Sequence, residues 1–214
     1  MLDVEKFILG PVATNVYLVM DRSTNSGVVI DPAWDGAFLA KKVKQAEIKI
    51  HQIWLTHAHF DHFAGLAALL EQLSNFQKDP VEVGMHSEDQ PLWERDGGAG
   101  MFGIKIQKPS LPALKFFHGQ ELRIGEYIFR VLHAPGHSPG HVMFHCRSEN
   151  ILFSGDVIFQ RGIGRTDLPG GDFQTLINTI REEVLSLPDE TKIFNGHGPE
   201  TLVGAERSGN PFLD

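Results

Sequence analysis

Apolar and polar positions along the chain fall into short stretches of two kinds. Residues 5–9, 15–20 and 27–30 are rich in Val, Ile, Phe or Tyr and are set apart by Gly, Pro, Asn and Ser, the pattern of strands joined by turns. After Asp31 and Pro32 the period changes. Phe38, Leu39 and Val43 recur at helical spacing over residues 35–46, with Asp35 placed as the N-cap. Residues 50–55 then read as a buried strand, residues 62–73 as a helix burying Leu66, Leu69, Leu70 and Leu73, and residues 81–85 as a further strand.

Residues 96–112 interrupt this alternation. Gly97, Gly98, Gly100 and Gly103 surround Met101 and Phe102, which predicts a loop forming a mobile rim over a site. No Gly-Lys-Ser/Thr follows it, so it is not a phosphate cradle. Strands resume over residues 122–133, 141–146 and 150–154. A long helix follows, capped by Asp172, with Phe173, Leu176, Ile177, Ile180, Val184 and Leu185 in its buried stripe and Pro188 as its stop. Residues 191–194 supply the last strand. Two runs of strands, each with helices beside it, predict an α/β fold in which two sheets pack face to face between helices, a four-layer αββα sandwich. No repeat, low-complexity tract or linker divides the chain, so residues 1–214 are expected to form one domain.

Composition removes several classes of function. The 27 acidic residues against 19 Lys and Arg give a formal charge of -8, which disfavours nucleic acid and anionic lipid as partners. The longest apolar run, residues 63–70, is far short of the ~20 residues that span a bilayer. Asp3 and Glu5 stand where a secretory leader would be basic, and the one cysteine, Cys146, has no partner for a disulfide. These features point to the cytoplasm. The count that stands out is eleven histidines in an acidic chain. It suggests nitrogen and oxygen ligands for a metal rather than thiolates.

The histidines are not scattered. Thr56-His57-Ala58-His59-Phe60-Asp61-His62 lies directly between a strand and a helix. Residues two apart in an extended chain point the same way, so His57 and His59 can grip one ion, while Asp61 and His62, at the turn into the helix, can serve a second. Further on, His137 sits in a Pro/Gly turn (Pro135-Gly136-His137-Ser138-Pro139-Gly140), Asp156 follows Ser154-Gly155 at a strand end, and His197 follows the last strand. Strand-end loops are where sites gather, and a carboxylate such as Asp156 has two oxygens with which to bridge two cations.

The motif His57-x-His59-x-Asp61-His62, followed by His137, Asp156 and His197 in that order, resembles the metallo-β-lactamase-fold hydrolases, and more narrowly their glyoxalase II branch. Residues 10–19 are similar to that branch's opening strands. The resemblance implies the αββα fold, a first ion on His57, His59 and His137, a second on Asp61, His62 and His197, and Asp156 with a water between them. Zinc is the first expectation, with iron and manganese also suited to such ligands. Two cations sharing a water would lower its pKa from ~15.7 toward ~7, which supplies a nucleophile at neutral pH. Asp61 is expected to accept a proton from it and so to be catalytic as well as a ligand.

The implied reaction is hydrolysis of a small-molecule thioester of the hydroxyacylglutathione type. Arg165 falls where that family contacts the glutathione carboxylate, so it is the expected substrate-binding residue. Asp167 replaces an aromatic contact usual two positions later, and an Arg165–Asp167 ion pair is the competing reading. The run Gly162-Ile163-Gly164-Arg165-Thr166-Asp167 also resembles the persulfide dioxygenases, which hold one iron, and a lactonase is a further alternative. Of the other histidines, His51, His86, His118 and His145 read as structural or solvated, and His133 and His141 as supports of His137 or as packing. Trp54 and Trp93 read as core.

Overall fold

The computed structural model describes residues 2–213. Its first sheet has six strands in chain order: β1 (Leu2–Leu9), β2 (Thr14–Asp21), β3 (Ser26–Ile30), β4 (Lys49–Trp54), β5 (Glu82–His86) and β6 (Leu114–Phe116). The first three pair antiparallel, and β3 to β6 run parallel. The later part of the chain gives β7 (Glu121–Ile124), β8 (Tyr127–His133), β9 (Val142–Cys146), β10 (Ile151–Gly155), a small ribbon of β11 (Ile158–Phe159) and β12 (Gly162–Ile163), then β13 (Lys192–Asn195) and β14 (Thr201–Leu202). The second sheet has the order β14-β13-β10-β9-β8-β7, with β10 and β13 parallel and every other pair antiparallel.

β2 shows how the layers arise. It is buried from end to end, because its alternate side chains serve two cores. Val16, Leu18 and Met20 join a core under α1 (Gly36–Ala46), α2 (Phe60–Phe63), α3 (Leu66–Ser74) and α4 (Gln90–Glu94). Tyr17 and Val19 point the other way, into the core between the sheets, with Trp54, Phe129, Phe144 and Phe153. A third core, built on Leu132, Leu152, Leu176, Ile180 and Ile193, lies under α5 (Phe173–Thr179) and α6 (Val203–Gly209). The expected αββα sandwich is therefore present. Trp54 is fully buried and meets Phe129 edge to face at 5.4 Å, while Trp93 stacks on Phe63 in the first core. No helix among the described residues is long and apolar enough to cross a membrane.

Four expectations need correction. The helix over residues 62–73 is two pieces, because the Gly65 N–H turns aside to the Pro32 carbonyl at 2.9 Å and leaves the helical ladder. A side chain at Gly65 would collide with the Trp34 backbone, so the break lets α1 and α3 pack closely. Residues 122–133 form a hairpin rather than one strand, turning at Gly125 and Glu126. The long helix capped by Asp172 widens after Thr179 into a π turn, where Leu185 N–H reaches the Ile180 carbonyl, and Phe173 is exposed rather than in the buried stripe. Residues 96–112 are not irregular throughout, since Asp96–Phe102 forms a kinked 3-10 stretch.

Candidate metal centre

The ligand residues predicted from sequence gather at one edge of the sandwich, where strands of both sheets end. His57 and His59 follow β4, His137 follows β8, Asp156 follows β10 and His197 follows β13, while the first turn of helix after β4 adds Asp61 and His62. The side chains converge. His59 Nδ1 lies 2.8 Å from His137 Nε2, which lies 3.2 Å from His57 Nε2. Beside them, His62 Nε2 and His197 Nε2 stand 3.6 and 3.4 Å from Asp61 Oδ2. Asp156 sits between the two groups. Its Oδ2 is 3.6 Å from His137 Nε2 and 3.5 Å from His197 Nε2, and its Oδ1 is 3.4 Å from His62 Nε2.

The two groups differ in charge. Burial holds the imidazoles of His57 and His59 in their neutral form, His59 down to about 3, and the neighbouring rings reinforce it, so their lone pairs are free. Burial would do the same to His62 and His197. There it is outweighed by the carboxylates of Asp156 and Asp61, with Asp31 adding to the effect on His62, and His197 is raised to about 9. Asp156 and Asp61 stay below the ordinary carboxylate range despite burial, because the imidazoles of His62 and His197 face them.

These donors fit divalent cations. His62 Nε2 and Asp156 Oδ1 are buried, lack a hydrogen-bond partner and face one another, an arrangement that costs free energy unless something positive completes it. Two sets of three donors result, His57 with His59 and His137, and Asp61 with His62 and His197, with Asp156 in reach of both. Imidazole nitrogen and carboxylate oxygen suit zinc, iron or manganese.

Other groups fix the ligands. Asp31, at the end of β3, accepts hydrogen bonds from Thr56 N–H and Oγ1–H, both at 2.7 Å, and from His62 Nδ1 at 2.9 Å. Thr56 Oγ1 in turn accepts from His57 Nδ1 at 3.0 Å, so one carboxylate orients a ligand of each group. His137 Nδ1 donates to the Arg165 carbonyl at 2.8 Å, leaving Nε2 as the acceptor. His141, fully buried, accepts from Asp156 N–H at 3.0 Å and stacks on His57, which makes it a support of the site. Gly196 lies against Asp156 and His62 so closely that a side chain there would displace the Asp156 carboxylate. Sequence reasoning missed Asp31, although a carboxylate after an apolar strand was the signal that marked Asp156.

The Arg165 side chain is exposed and paired with Asp167 through two hydrogen bonds of 2.7 Å, so it is the backbone of Arg165 that touches a ligand in this structure. Met101 and Phe102 are exposed, and Phe102 rests 5.6 Å from Phe60 beside the ligand loop. His51 is the extra residue of a bulge in β4. His86, Glu88 and His133 also come together, but the two rings stack in parallel at 4.2 Å, so their in-plane lone pairs do not converge. His133 Nε2 is spent on the Pro139 carbonyl and His86 Nδ1 on Glu88 N–H, a structural pairing.

Residues 9–197 match the family described as the metallo-beta-lactamase superfamily. The chain is 38% identical to "Probable metallo-hydrolase YqgX" of Bacillus subtilis, over 96% of this chain and 95% of that protein. It is 37% identical to "Hydroxyacylglutathione hydrolase GloC" of Haemophilus influenzae, over 94% and 92% of the two chains. Among solved structures, BLEG-1 B3 metallo-beta-lactamase superposes with a TM-score of 0.89 at 36% identity, covering 100% of this chain and 99% of that one. TTHA1623 in a di-iron-bound form gives 0.87 at 40%, covering 98% and 100%.

Proposed function

From the premise that this chain belongs to the metallo-beta-lactamase superfamily of metal-dependent hydrolases, we propose that it is a dinuclear thioester hydrolase acting on a hydroxyacylglutathione-type substrate. The observation that carries the dinuclear reading is Asp156, whose two oxygens face both histidine groups from a buried position. The thioester class is supported by the GloC relative, which aligns over nearly the whole chain. Bound at these donors, two divalent cations, zinc or the iron found in the TTHA1623 structure, would supply Lewis acidity and an acidified water as nucleophile.

The chain's own residues do the rest. His57, His59 and His137 hold one side of the site and Asp61, His62 and His197 the other, with Asp156 setting the distance between them. Asp61 is ionised, receives Thr14 Oγ1–H at 3.3 Å and keeps a second oxygen for the proton of the attacking water. Arg165 receives the carboxylate of the thiol half. An exposed ion pair contributes only ~0–1 kcal/mol, so that carboxylate can displace Asp167.

Elemental analysis combined with assays on one sample tests this reading. Two ions per chain with S-lactoylglutathione hydrolysis is the expected result. One iron with persulfide-dependent oxygen uptake would replace it with a dioxygenase, and hydrolysis of a β-lactam or a lactone in place of the thioester would move the substrate class. His59→Ala and Asp156→Ala should each lose metal and turnover together, and retention of both in either variant would sink the assignment.

A further inference from the structure

We propose that Asp89 is a positioning residue for the metal group of His57, His59 and His137, and for that group alone. The inference rests on the dinuclear reading above and adds to it a residue outside every metal motif. Asp89 lies in the short 3-10 turn after β5, is fully buried, and comes from a segment that contributes no ligand.

Its carboxylate accepts three hydrogen bonds. Oδ2 receives Ala58 N–H at 2.8 Å and Ser138 Oγ–H at 2.9 Å, and Oδ1 receives Gly140 N–H at 2.7 Å. Ala58 is the residue between His57 and His59. Ser138 follows His137, and Gly140 ends the same loop. One carboxylate thus joins the two loops, from different sheets, that supply all three histidines. None of its three bonds falls on the helical turn that carries Asp61 and His62 or on the loop of His197. Asp31 differs, since it serves ligands of both groups.

The fit at Asp89 is tight. A Cβ on Gly140 would lie 2.9 Å from Asp89 Cβ and Cγ, so the loop closes on Asp89 only because Gly140 lacks a side chain. All three partners are donors, two of them backbone N–H groups that cannot change role. Asp89→Asn keeps size and shape but offers one acceptor oxygen in place of two, so its amide nitrogen must face either Ala58 N–H or Gly140 N–H. Two donors in contact push the loops apart and spread the three ring nitrogens. Buried groups that orient metal ligands typically matter by ~10–100-fold in affinity.

The test uses the cobalt-loaded protein. Cobalt affinity is measured by chelator competition, and the shifted imidazole N–H resonances in the proton NMR spectrum report which histidines hold metal. Asp89→Asn should weaken one cobalt by ~10–100-fold and remove the resonances of His57, His59 and His137 while those of His62 and His197 persist. Ser138→Ala, which deletes one hydrogen bond and leaves the carboxylate, should weaken the same ion by about fivefold. Equal weakening of both ions, or no weakening, in Asp89→Asn overturns the proposal. Should that variant not fold, Ser138→Ala decides by the same two criteria. A wild-type protein that binds one cobalt instead sinks the dinuclear reading, and Asp89 is then judged on the effect of Asp89→Asn on that single ion's affinity and histidine resonances.

Discussion

At the scale of single residues, the site depends on groups that cannot be exchanged even for close relatives. Asp31→Asn leaves the Asp31 position filled but must turn an amide N–H₂ toward either Thr56 N–H or the side chains of Thr56 and His62. Because Asp31 steers His62 directly and His57 through Thr56, the proposed dinuclear site should bind both of its ions ~10–100-fold more weakly in chelator competition. Gly196→Ala should lower turnover by roughly 10²-fold, because its methyl group would displace the Asp156 carboxylate, and misplacement of about 1 Å has that effect. Steady-state kinetics with metal analysis on the refolded variant separates lost binding from lost geometry. These residues also mark how far the site was legible in the sequence. The seven expected ligands stand out because His and Asp cluster after strand ends and in the first turn of helix that follows β4, and the structure brings them together. Asp31 carried the same strand-end signature without histidines beside it, and Asp89 carried none, since Ser87-Glu88-Asp89 reads as an exposed polar turn.

At the scale of elements, hydrophobic period identified which faces are buried but not where a helix breaks. Leu66, Leu69 and Leu73 are buried as the helical spacing predicts, yet the element carrying them begins only after Gly65, whose N–H bonds to Pro32 in a distant segment. No local pattern reports such a tertiary contact. Gly65→Ala should cost ~1–3 kcal/mol through overpacking against the Pro32 and Trp34 backbone that leads into α1, seen as a lower urea midpoint with an unchanged slope. The same limit explains the hairpin within residues 122–133, where Gly125-Glu126 is a two-residue turn hidden in an apolar stretch, and β6, whose three residues are too few to show a period. Phe173 kept helical spacing with Leu176 and Ile177 but lies in the first turn, outside the covering layer.

At the scale of the whole molecule, the two sheets are joined at both edges. One edge is the ligand cluster. At the other, Asp21 at the end of β2 receives Ser23 N–H and Oγ–H at 2.9 and 2.6 Å and, from the second sheet's hairpin, Glu126 N–H at 3.1 Å. Led by the Ser23 hydroxyl, these bonds lower the Asp21 carboxyl to about 2. A carboxyl depressed on folding stabilises fully above its unfolded value of ~3.9 and ceases to do so as pH falls through its folded value. Asp21→Asn should therefore lose ~2 kcal/mol at pH 7, and its deficit against wild type should shrink between pH 4 and pH 2 in denaturant titrations of the metal-free proteins. Since the histidine and aspartate cluster gathers at the opposite edge, the exposed turn at Arg147–Glu149, which precedes β10 at its far end, points away from the mouth. The chain's single cysteine, Cys146, is buried. A thiol introduced by Glu149→Cys is thus a unique handle for tethering the protein to a solid support with its mouth facing the solution.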